Sequence, residues 1–371
     1  MGRFLTTAKN GKKLIIDRYI IREIVKPTVA ICTALIFIYG CFIGTRYLAD
    51  AVNGQIPGSV VIILILLRIA ISLEVLLPTT LYLSVIIAMG RLYKDSEMTA
   101  LSACGVSTSR VMRPVFLISL VIALIVFSLS LYIRPWAYSQ FFRIKEQAKA
   151  DFDLTRMKGG TFYEIDSGTR VIFADQVDQK QVQVRNVFIR TERDDRLQVI
   201  QAEQASQHMD QATGKRILVF TNGYLHEFSR FEKEGRVIQF EQSAMSLESK
   251  ESIELEYKIK AASTAFLAYS ANKREIAEYQ WRLSTPLATI LLALLGVPLS
   301  RSSPRRGKYA KVMSAVLIIF VYHNLGAIAK KFVAQGVLGP LPGIWWVQIL
   351  LAGLLLILLW QPTRGFRWRS R

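Results

Sequence analysis

Cysteine and histidine are nearly missing from this 371-residue chain, with three of each. Cys32, Cys41 and Cys104 all fall outside residues 134–265, so no disulfide can brace that stretch. His208, His226 and His323 stand at no metal-ligand spacing with the cysteines, which argues against a zinc site. Nucleotide-binding glycines are missing too. Gly307-Lys308 and Gly214-Lys215 have neither the upstream glycine nor the following Ser/Thr of a P-loop. No nucleophile–base pair is legible. The expectation is a protein without catalytic residues, metal or cofactor, so any ATP it uses is hydrolysed by another chain.

Acidic residues are scarce everywhere except in one stretch. Residues 134–265 hold 20 Lys+Arg and 20 Asp+Glu; the rest holds 27 basic and 8 acidic residues, which carries the whole net charge of +19. Most of that excess sits in four short segments. They are Arg3–Lys26, Arg91–Arg113, Arg301–Lys311 and Arg364–Arg371. A nucleic-acid binder would pool such charge on a folded surface. Here it flanks apolar runs, and no nucleic-acid partner is expected.

The apolar runs are about 20 residues long, enough to cross a bilayer. They cover Val29–Tyr47, Val60–Met89, Val111–Ile133, Leu283–Leu299, Val312–Phe332 and Ile344–Trp360. With six spans all four basic segments fall on one side, which the positive-inside rule makes the cytoplasm. The first run is long and has no small-residue cleavage site, so it reads as a retained helix rather than a signal peptide. Leu14–Lys26 is amphipathic, with Arg18, Arg22 and Lys26 recurring every four residues. It either lies at the lipid phosphates or only sets topology. Trp136, Trp281, Trp345, Trp346 and Trp360 near the run ends fit an interfacial belt.

The stretch between the third and fourth runs opens with a helical stalk, Tyr138–Lys149, and then alternates polar and apolar residues at strand period. Strand candidates are Thr161–Ile165, Thr169–Ala174, Val182–Thr191, Leu197–Ala202, Arg216–Thr221, Tyr224–Phe228 and Val237–Phe240. The expected fold is an α-helical membrane protein of six transmembrane helices with an inserted extracytoplasmic all-β domain, a β-sandwich or β-jelly-roll. Its parts are 1–135, 136–265 and 266–371.

The loop between the second and third runs carries the clearest cytoplasmic signal. Asp95 and Ser96 are helix N-cap types, Glu97 suits the first turn, and Gly105 suits the position just past a helix end. A short capped helix with Glu97, Met98 and Leu101 follows, and Ser107 can cap the next helix. It reads equally as a coupling helix resting on an ATPase or as an ordinary structured loop.

Arg91–Ser107, "RLYKDSEMTALSACGVS", resembles the coupling segment of the lipopolysaccharide-export permeases, the LptF/LptG family. "RYIIRE" at Arg18–Glu23, "IP" at Ile56–Pro57, "EYQWRLSTPL" at Glu278–Leu287 and "VPLSRSSPRRGK" at Val297–Lys308 agree with it in order. Ala103–Gly105 is similar to the LptF branch. The resemblance implies an inner-membrane permease with cytoplasmic termini. Its partners would be an LptG-like homologue, an LptB-like ATPase dimer and the LptC-like and LptA-like jelly-roll proteins. Its cargo would be lipopolysaccharide, taken from the outer leaflet. Asp95, Glu97, Met98, Leu101 and Gly105 would form the coupling set. A MacB- or FtsX-like mechanotransmitter and a membrane-anchored scaffold are the alternatives.

Arg46, Lys330 and Lys331 are cations at the outer ends of spans and so depart from the topology rule. Lipid phosphates are expected to meet them, or they snorkel as anchors. Arg46 also matches a basic family position. Arg68 and Glu74 lie deep in the second run, where a charge costs about 2.5–3.5 kcal/mol, so each is expected to find a partner on another helix. His323 and Asn324 are expected to bond between helices.

Overall fold

The computed structural model describes residues 2–52, 56–150, 159–165, 170–178, 183–193, 196–209, 216–229, 235–246, 258–300 and 308–360. The basic stretch 301–307, the tail from 361 and the side chains of Arg3–Lys13 lie outside the described residues.

In lipid a backbone has to satisfy its own hydrogen bonds, so the apolar runs fold as helices. In chain order these are α1 (Gly2–Val52), α2 (Val61–Lys94), α3 (Glu97–Ala103), α4 (Thr108–Ser128) and α5 (Arg134–Ala150), with a π-helical turn, Leu129–Ile133, between the last two. After the sheet come α6 (Thr264–Ala268), α7 (Lys273–Leu299), α8 (Lys308–Gln335) and α9 (Trp345–Trp360). Among the described residues, five stretches are long and apolar enough to cross a membrane: Ile15–Val52, Gly58–Lys94, Thr108–Lys145, Lys273–Leu299 and Val312–Gln335. The sixth, α9, has 16 described residues. That is about 24 Å at helical rise, short of a hydrocarbon core of about 30 Å.

Leu14–Lys26 is not a separate interfacial helix. It continues into the first span as one helix through Pro27. Its faces are as read: Arg18, Arg22 and Lys26 are exposed, while Ile20 and Ile24 are fully buried. Those two isoleucines pack with Leu81, Val85, Met89 and Leu92 of α2, Met98 of α3, Val111 and Val115 of α4, and Ala293 and Val297 of α7. Small residues permit the close approach that helices in lipid need. A Cβ on Gly296 would stand 2.9 Å from Val85 Cγ1. Phe37, Ile38, Leu124, Leu317 and Phe320 point outward. An apolar outer surface on helices of this length has lipid as its solvent.

The inserted region forms one antiparallel sheet in meander order: β1 (Thr161–Ile165), β2 (Arg170–Asp178), β3 (Gln183–Arg193), β4 (Arg196–Met209), β5 (Arg216–Ser229) and β6 (Arg236–Ser246). Among the described residues it has none of the crossed strand order of a full jelly roll, because each strand pairs with its chain neighbour. A crease takes over the work of a second sheet. The ladder is interrupted along one row, Asp175, Asn186, Glu203, Asn222 and Glu241. Asn186 and Asn222 have φ of 51° and 52° there. Asparagine tolerates this left-handed region better than most residues. Across the row the buried alternation shifts phase, with Val184 and Val187 both buried, and likewise Ala202 and Ala205. Both halves of β3 and of β4 therefore feed one core, which also holds Ile172, Leu218 and Phe220. Gly223 beside the crease has no room for a side chain, since a Cβ would lie 2.4 Å from the Gln201 carbonyl oxygen.

By packing, the chain divides into two compact units, residues 1–41, 66–139 and 258–371 in one and 42–65 with 140–257 in the other.

Candidate functional site

The short helix α3 is held firmly at the basic end of the bundle. Its end is a Schellman motif: Val106 N–H donates to Leu101 O and Gly105 N–H to Ser102 O, both at 3.0 Å, with Gly105 at φ 81°. Ser107 caps α4 by accepting from Arg110 N–H. The expected cap at the other end is not made. Ser96 sits at φ 61° and its side chain bonds no backbone N–H. Met98 is buried and Leu101 half-buried in the bundle core, so these two root the helix rather than face outward. Thr99, Ala100, Ser102 and Ala103 form its exposed side.

Three polar links tie α1 to this loop. Tyr19 Oη donates to Glu97 Oε2 at 2.7 Å. Arg91 pairs with Glu23 at 2.6 Å and with Asp95 at 3.6 Å. Arg110 pairs with Asp17 at 3.2 Å. Glu97 and Asp95 are thus both engaged with their own chain.

At the other end of the bundle lies a buried ionic cluster. Glu74 on α2 accepts from Arg134 Nε at 3.1 Å, from Ser130 Oγ at 3.0 Å and from Thr285 Oγ1 at 3.3 Å. Arg134 also reaches Glu278 Oε1 on α7 at 3.0 Å. Arg282, one turn further along α7, donates Nε–H to the same oxygen at 3.3 Å. Lys330 on α8 binds the other oxygen, Glu278 Oε2. Three cations thus meet two carboxylates. Four of the five are nearly sealed, and only Lys330 is partly open, with a quarter of its side chain exposed. Low dielectric makes each pairing strong and each missing partner costly.

The interhelical partner expected for Glu74 is therefore Arg134. Arg134, Glu278 and Arg282 were not legible as a site, although Glu278 and Arg282 lie in the "EYQWRLSTPL" stretch at i, i+4 spacing, one helical turn before an apolar run. His323 Nε2 lies 3.3 Å from Thr79 Oγ1 on α2, an interhelical contact as expected. Asn324 instead donates to Phe320 O on its own helix at 2.8 Å.

Arg46, Lys330 and Lys331 differ from one another. Arg46 and Lys331 are exposed and make no ion pair among the described residues. Lys330 is engaged by Glu278 and lies 5.3 Å from the Trp281 ring centroid, a cation–π distance.

Sequence comparison covers both the bundle and the sheet. The family profile described as "Lipopolysaccharide export system permease LptF/LptG" matches residues 18–361. The lipopolysaccharide export system permease protein LptF of Escherichia coli K12 is 26% identical over 368 residues, covering 95% of this chain and 98% of that protein. The LptF proteins of Escherichia coli O157:H7 and Shigella flexneri are similar to the same extent. With its apolar helices, its inserted antiparallel sheet and a match from the first span to the last, the chain belongs to the LptF/LptG family of lipopolysaccharide export permeases.

Proposed function

We propose that this chain is the LptF-like half of an ABC-type permease of the inner membrane. It takes lipopolysaccharide from the outer leaflet and passes it to its own extracytoplasmic sheet. The family match running unbroken across bundle and insert is the observation that carries this reading. An LptG-like homologue completes the membrane cavity. An LptB-like ATPase dimer docks on the exposed side of α3, whose rooted ends suit it to bear force. LptC-like and LptA-like proteins extend the sheet through its open edge strands, β1 or β6.

The ligand phosphates meet Arg46 and Lys331, the two exposed cations. Lys330 joins them when it leaves Glu278. Asp95 just before α3 and Glu97 in its first turn act in coupling, while Met98, Leu101 and Gly105 give that helix its shape. Mass spectrometry of lipid retained by the complex purified from a lipopolysaccharide-bearing membrane tests the cargo. Lipopolysaccharide enriched over bulk phospholipid is the expected result. Bulk phospholipid alone would overturn it.

A further inference from the structure

The buried cluster does more than pair charges, because it grips the chain where the soluble insert leaves and rejoins the bundle. On the leaving side, Ser130 lies in the π-helical turn Leu129–Ile133 and Arg134 follows it directly. A π turn shifts carbonyls out of the ordinary helical ladder. Leu131 O there accepts from Thr264 Oγ1 at 2.8 Å. On the returning side, the fully buried Arg282 donates Nη2–H to Lys260 O, and Nη1–H to Ala262 O and Thr264 Oγ1, at 2.9–3.0 Å. Its Nε–H goes to Glu278, so one planar guanidinium spans the bundle's carboxylate and three backbone or hydroxyl acceptors of the returning segment. Only arginine has donors in that fork.

We propose that Arg282, with Thr264 as its clasp, is a positioning element that transmits movement of α2 and α7 to the two chain segments bordering the insert. Displacement of α7 shifts Glu278 and Arg282 together, and the returning segment follows because its carbonyls are held. Displacement of α2 reaches the leaving segment through Glu74, Arg134 and Ser130. Two independent observations support a mechanical role over simple charge burial. The guanidinium is used on backbone acceptors of a segment outside the long helices, and the leaving segment carries a π turn at the point of contact.

This inference rests on the transport reading, and its test separates the two. The complete complex is reconstituted with lipopolysaccharide in vesicles, with a photo-crosslinking residue in place of Tyr224 on the sheet. Lipid retained before ATP reports loading. ATP-dependent crosslinking at position 224 reports transfer to the insert. Arg282→Lys retains charge but loses the fork, and Thr264→Val removes only the clasp while leaving every buried charge paired. Thr264→Val is expected to load like the parent, to keep the basal ATPase rate, and to transfer about tenfold less, the effect of one or two hydrogen bonds. Thr264→Ser is expected to restore transfer. Transfer at the parental rate in Thr264→Val, or loading and transfer falling together, would overturn the linkage. A parent complex that retains no lipopolysaccharide overturns the transport reading itself.

Discussion

Tyr19 on α1 donates its hydroxyl to Glu97 on α3, 78 residues away and 2.7 Å distant. Glu97 is therefore positioned by the N-terminal part of α1, the same helix that forms the first span. Tyr19→Phe keeps the ring and removes this bond. Because Tyr19 is 40% exposed, the loss of stability is expected to stay below about 1 kcal/mol. Lipopolysaccharide-stimulated ATP turnover is expected to fall severalfold while the complex still assembles. Turnover equal to the parent would show that Glu97 needs no support from α1.

Glu278 contacts three cations at once, Arg134, Arg282 and Lys330. Glu278→Gln leaves Arg134, Arg282 and Lys330 with Glu74 as the only carboxylate of the cluster. Breaking such a buried group is expected to cost about 3–5 kcal/mol. Adding Lys330→Met to Glu278→Gln removes one unpaired charge and is expected to recover part of that loss. Denaturant unfolding in detergent measures both, and a cost under about 1 kcal/mol for the single variant would mean that water reaches the cluster.

The crease gives a sharper packing test. At Gly223 a Cβ would meet the Gln201 carbonyl oxygen, the Phe240 ring and Ala202 Cβ. Gly223→Val is expected to destabilise the sheet by at least about 1–3 kcal/mol. At Gly58 nothing lies within 4 Å, so Gly58→Ala is expected to be tolerated. Limited proteolysis of the two variants distinguishes them, and equal resistance would remove the crease from the account.

The basic segments predict an orientation, with the insert on the side opposite to them. In a background with Cys32, Cys41 and Cys104 replaced by serine, Gln239→Cys on β6 is expected to react with a membrane-impermeant thiol reagent in intact spheroplasts. Lys94→Cys at the end of α2 is expected to react only after lysis. The reverse pattern would invert the topology.

Much of the architecture was readable because lipid leaves little choice. A run such as Val312–Phe332 has no stable form in a bilayer but a helix, and it became α8. Strand β1 was placed to the residue, Thr161–Ile165, by its alternation. The sheet's connectivity was not readable at Asn222-Gly223. That dipeptide reads as a turn between two strands, yet it lies inside the single strand β5, where Asn222 makes the crease and Gly223 the room for it. The end of α3 was legible from Gly105 and Ser107, but the inward face of Met98 and Leu101 depends on α1 and α2, which a local pattern does not contain. The ionic cluster was hidden for the same reason. Glu74, Arg134, Glu278 and Lys330 are far apart in sequence, and only the packed bundle brings them together.

Export itself is the central claim, and one measurement addresses it most directly. Vesicles carrying this chain with an LptG-like permease, an LptB-like ATPase and an LptC-like protein are loaded with lipopolysaccharide and supplied with an LptA-like acceptor. Release to the acceptor is expected to need ATP and this chain, and to fall severalfold with Arg46→Glu, less with Arg46→Lys because an exposed phosphate contact needs charge more than fork geometry. ATP hydrolysis by the assembled complex without any transfer of lipopolysaccharide to the acceptor would contradict the account.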